Sequence, residues 1–96
     1  MHVVIRKYSG KGSTDLFDVL EKHKAELEPL MRAVPGFVSY TLARSTAGGY
    51  SVTVCQDQAG IDESVRVAKD WIAKNADHIS ASAPEVSSAK VILHAS

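Results

Sequence analysis

The chain switches between two apolar rhythms, and the switches mark its elements. Residues 2–8, HVVIRKY, are rich in β-branched and aromatic side chains and stop at Ser9-Gly10-Lys11-Gly12, which predicts a strand followed by a turn. Ser13, Thr14 and Asp15 offer N-caps and a negative first turn for a helix. From there Leu16, Leu20, His23, Leu27, Leu30, Met31 and Val34 recur at steps of three and four, forming one helical stripe. Pro29 lacks an N–H and crowds the carbonyl of Ala25, so a kink is predicted near residues 27–29, and Pro35-Gly36 ends the helix. Residues 37–45 return to strand alternation. Ala47-Gly48-Gly49 predicts a hairpin turn, and a third strand covers 50–56. Asp57 and Asp62 bracket the start of a second long helix with the stripe Ile61, Val65, Ala68, Ile72, Ala76 and Ile79. Residues 80–84, SASAP, predict a loop, and 86–94 a fourth strand.

The resulting order, β-α-β-β-α-β, predicts an α+β, ferredoxin-like fold: one domain over residues 1–96, a four-stranded antiparallel sheet and two helices on one face. Alternation divides the strands into two sets. The greasier set, with Val3, Ile5, Tyr40, Leu42, Tyr50, Val52 and Val54, is expected to meet the helices. The other set, with Val4, Arg6, Tyr8, Ser39, Thr41, Ser51, Thr53 and Cys55, is small and mostly uncharged in the middle strands, where a wetted sheet carries Lys, Glu and Arg. Such a face predicts a partner, and the simplest is a second copy of the chain, giving a homodimer through the sheet.

This order, the VPGF entry to the second strand, the glycine hairpin and the long second helix resemble the dimeric α/β-barrel superfamily, and within it antibiotic-biosynthesis-monooxygenase-like (ABM-like) proteins. The resemblance implies two sheets closing into a barrel. It also implies a cofactor-independent monooxygenase acting on a small aromatic, quinol-type substrate. One branch of that superfamily degrades haem with an Asn on strand one, a Trp on helix two and a His after it. Trp71 matches its Trp and His78 is a candidate for its His, at a shorter interval. The strand-one Asn is missing, since the expected helix-facing positions are Val3, Ile5 and Lys7, and Cys55 stands near where the family carries a tryptophan. These departures argue against haem degradation.

Composition narrows the field. At 45% hydrophobic and 23% charged the chain is an ordinary globular sequence, and eleven basic side chains balance eleven acidic ones without a basic cluster, so neither nucleic acid nor membrane is expected as a partner. One cysteine forms no internal disulfide and fits a reducing cytoplasm. No spacing resembles a metal site, with His2 and His94 as the one weak pair, so neither metal nor cofactor is expected.

Five residues are candidates for a pocket: His23, Tyr40, Trp71, Asn75 and His78. His23 lies near the centre of the first helical stripe, either as a core imidazole bonded to a backbone carbonyl or as the base of a cofactor-free oxygenase. Trp71, Asn75 and His78 share one edge of the second helix, lining a cleft or simply closing the helix end. Cys55 reads as an inert buried thiol. The alternative function is a non-catalytic dimer that binds a small molecule or regulates a partner. A shared void of roughly 300 Å³ beside His23, Tyr40 and Asn75 separates the two readings from a solid core.

Overall fold

The computed structural model describes residues 1–96. Its elements are β1 (His2–Tyr8), α1 (Ser13–Lys22), α2 (Lys24–Arg32), β2 (Phe37–Ser45), β3 (Gly48–Cys55), α3 (Gln58–Asn75) and β4 (Glu85–Lys90). The strands form one antiparallel sheet in the order β2-β3-β1-β4, with the helices against one face. This is the ferredoxin-like α+β arrangement the periodicity predicts.

The expected first helix is two helices. The chain breaks at His23 (φ −108°, ψ 17°), not at residues 27–29, and Pro29 sits inside α2. The His23 carbonyl accepts from the N–H groups of Glu26 and Leu27, which closes the first turn of α2 just after the break. At the start of α1 the cap is Gly12 in the left-handed region (φ 80°) rather than a hydroxyl, and Ser13 is fully buried with Oγ unpartnered. The start of α3 follows expectation, with the Asp57 carboxylate accepting from Gly60 N–H at 2.9 Å.

The hairpin turns at Thr46-Ala47, and Gly48 and Gly49 already belong to β3. These glycines serve close approach: a Cβ at Gly49 would run into the Phe17 ring and the Ala43 carbonyl, and one at Gly48 into the Tyr8 carbonyl. β4 is shorter than predicted, and Ile92 and Leu93 lie exposed beyond it.

The faces of β1 and β3 are the reverse of the expected ones. Val4, Arg6 and Tyr8 on β1, and Ser51, Thr53 and Cys55 on β3, are buried beneath the helices. Val3, Ile5, Tyr50 and Val52 alternate with them and lie on the open face, where Ile5 and Tyr50 are exposed. β2 keeps its expected phase at Tyr40 and Leu42, but a bulge between Phe37 and Ser39 brings Phe37 to the helix side, against Val4, Val34, Cys55 and Ile61. Apolarity misleads here because small Ser, Thr and Cys side chains on the sheet leave room for large ones from the helices. Phe17, Leu20, Leu27 and Trp71 fill that room and pack with Tyr8 in the main core. The buried face of α3 is likewise turned toward Ser64 and Trp71.

Candidate functional site

The break at His23 brings three candidate groups together at the junction of α1, α2 and α3. Glu26, in the first turn of α2, accepts from the Trp71 indole N–H at 3.1 Å through Oε1. Its Oε2 lies 3.4 Å from His23 Nδ1. The His23 and Trp71 rings meet edge to face, 5.6 Å apart at 62°. The Glu26 carboxylate therefore holds the indole by a hydrogen bond and lies beside the imidazole without one.

Trp71 also belongs to the wall of a small internal cavity between helices and sheet. The cavity has a volume of about 10 Å³ and is bordered by Arg6, Tyr8, Tyr40, Ser51 and Trp71 together with Leu20, Leu27 and Leu42. That volume holds about one water. Arg6 is 5% exposed; its Nε donates to Ser51 Oγ at 3.2 Å, and its guanidinium lies 5.6 Å from the centre of the Tyr8 ring. Burial pushes the Tyr40 phenol up to about 12, against the pull of the Arg6 cation and with a further push from Tyr8. Burial likewise raises the Tyr8 phenol, and Arg6 opposes the rise. Both phenols are thus neutral donors at ordinary pH.

A second space adjoins the first. Between α2 and β2 runs an open cleft of about 480 Å³, lined by Leu27, Phe37, Val38, Tyr40 and Leu42 with Lys24, Glu28, Arg32 and Ser39. Leu27, Tyr40 and Leu42 border both spaces, so the cleft ends at the cavity wall.

Of the five predicted residues, Tyr40 and Trp71 line the cavity, and His23 sits against Trp71 without lining either space. Asn75 turns back along its own helix, its Nδ2 donating to the Trp71 carbonyl at 2.9 Å. His78 is exposed past the end of α3, in an open depression with Lys11, Asp15 and Asp18. His23, Tyr40 and Asn75 therefore share no void. Cys55 is fully buried, and burial, with Asp57 adding to it, raises its thiol above the usual range, so it is no nucleophile. Sequence reasoning missed Arg6, Ser51 and Tyr8 by assigning them to the open face. It also missed Glu26, which the i,i+3 spacing from His23 points to.

No protein-family model matches the chain, and no curated protein sequence matches it. Solved structures do. The haem degrader MhuD from Mycobacterium tuberculosis, with two haems bound in its active site, superposes with a TM-score of 0.70 at 19% identity, covering 100% of both chains. The chain has the fold of the antibiotic biosynthesis monooxygenases. A monooxygenase of Streptomyces coelicolor from the gene ActVA-Orf6, in complex with nanaomycin D, aligns with a TM-score of 0.63 at 16% identity over 98% of this chain and 92% of its own. A protein of unknown function from Nitrosomonas europaea reaches 0.70 at 18% identity over 98% and 90%. The monooxygenase fold read from the VPGF turn and the βαββαβ order is thereby borne out. In this version of it, the buried polar residue of strand one is Arg6, not Lys7 and not an Asn.

Proposed function

We propose that the protein binds a small aromatic molecule between its helices and its sheet and oxidises it with O₂ without a cofactor. The carrying observation is the α2–β2 cleft, whose walls of Leu27, Phe37, Tyr40 and Leu42 suit a flat ring and which Leu27, Tyr40 and Leu42 separate from the cavity bordered by Trp71 and Arg6. The monooxygenase fold and its ligand-bound neighbours support the same reading. In the proposed reaction a ring CH₂ activated by a neighbouring carbonyl loses a proton to a base. The carbanion gives its electrons to O₂, and loss of water leaves a quinone carbonyl, so CH₂ and O₂ become C=O and H₂O. His23, beside Glu26, is the proposed base. Tyr40, on the wall shared by cleft and cavity, and Trp71 behind it orient the ring, while Asn75 and His78 border neither space.

Oxygen uptake with an anthrone-type substrate tests the proposal. Wild type is expected to consume one O₂ per quinone formed, and His23→Ala to lose most of that rate. Uptake unchanged in His23→Ala removes the assignment of the base. A second reading, a dimer that binds a small molecule without turning it over, is favoured by one observation: His23 borders neither the cleft nor the cavity. Ligand binding with no oxygen uptake establishes that reading instead.

We further propose that a second copy of the chain covers the open sheet face, on the strength of its exposed Ile5 and Tyr50. No helix is long and apolar enough to cross a membrane, and the buried free thiol of Cys55 supports a reducing cytoplasm as the compartment.

A further inference from the structure

The four arginines divide sharply. Arg32 pairs with Glu28, Arg44 with Asp18 and Glu21, and Arg66 with Glu63 and Asp70, all at the surface. Arg6 is the buried one, and it is in no ion pair. A guanidinium stays protonated in proteins, so Arg6 cannot shed its charge as a buried Lys or Glu does. Its partners are one neutral hydroxyl and the Tyr8 ring, which answer a single N–H and part of the charge. Buried charges ordinarily have a counter-charge. With Nε committed to Ser51, the terminal Nη pair remains, and that end of a guanidinium matches the two oxygens of a carboxylate.

We propose that Arg6 is the receptor for the carboxylate of an aromatic acid whose ring sits in the α2–β2 cleft. The inference rests on the reading of that cleft as a ligand site and names the ligand class. The cleft supplies apolar walls for the ring, and its charges lean positive, with Lys24 and Arg32 against Glu28. The wall between the cleft and the cavity beside Arg6 consists of Leu27, Tyr40 and Leu42, each of which borders both spaces. Displacement of the Tyr40 side chain opens the way, since about 10 Å³ beside Arg6 admits no carboxylate as it stands. The neutral phenols of Tyr8 and Tyr40 then donate to the bound anion.

Calorimetric titration with 2-naphthoate and its neutral isostere 2-naphthamide tests the proposal. Wild type is expected to bind the naphthoate at least about tenfold more tightly than the amide. Arg6→Met is expected to lose that preference while still binding the amide, and to melt no lower than wild type without ligand, because the substitution removes an unpaired buried charge. Naphthoate should raise the melting temperature of wild type and not of Arg6→Met. Arg6→Lys, which keeps the charge but loses the fork, is expected to bind naphthoate several-fold more weakly and carries the same test should the Met variant not fold. Equal affinity for the two compounds in wild type overturns the role of Arg6 while leaving the cleft as a ligand site. A naphthoate preference unchanged in Arg6→Met or Arg6→Lys does the same. Binding of neither compound overturns both this inference and the cleft reading.

Discussion

Tyr40 holds its proton to about pH 12, two pH units beyond the ordinary phenol value of 10.0, because it is buried. Below pH 10 the phenol is neutral in both folded and unfolded chains, and stability is unaffected. Between pH 10 and about 12 the unfolded chain ionises while the folded one resists, so stability falls as pH rises. Urea melts across this window are expected to show that fall in wild type and a shallower one in Tyr40→Phe; parallel curves would refute the burial argument. Among single residues, His23 and Trp71 were legible as members of a cluster because a polar or aromatic side chain at the helical period stands out. Arg6 was not. In HVVIRKY an apolar run surrounds it on both phases, so alternation alone does not tell which side a cation takes.

At the scale of elements, the order of strands and helices was readable because the periods 2 and 3.6 are distinct over these lengths. Phase and termini were harder. The Val38 bulge resets β2 by one residue, and nothing in FVSYTLARS marks it. The helix break appeared at His23 although Pro29 was the visible disruptor, since a proline late in a short helix costs one bond and leaves the turn before it free to bend elsewhere. The hairpin glycines were visible, but their reason is contact with α1. Gly49→Ala places a methyl against the Phe17 ring and is expected to lower stability by about 2 kcal/mol, the range of core overpacking. A chemical-denaturation midpoint equal to wild type would show that α1 yields at that point.

For the whole molecule, both sides of the sheet read as partly apolar because both have something to cover: the helices on one side and, in our proposal, a twin chain on the other. The face expected to need a twin, with Ser51, Thr53 and Cys55, is covered by the chain's own helices, so the proposed twin rests instead on the exposed Ile5 and Tyr50 of the opposite face. Ile5→Glu puts a carboxylate in the middle of that face without touching the helix-side core. It is expected to weaken self-association at least about tenfold in sedimentation equilibrium, a carboxylate being costly to desolvate there. Wild type running as a lone protomer at millimolar concentration would end the idea. One further property belongs to the molecule as a unit. The chain has a single tryptophan, and Trp71 borders the same cavity as the unneutralised Arg6. All near-ultraviolet emission attributable to indole therefore originates between the Glu26 carboxylate that it hydrogen-bonds and the Arg6 guanidinium across the cavity, and the positive charge of Arg6 displaces the energy of the excited state. An anion arriving at that charge cancels part of the field and moves the emission maximum, so the unlabelled protein is its own optical gauge of occupancy.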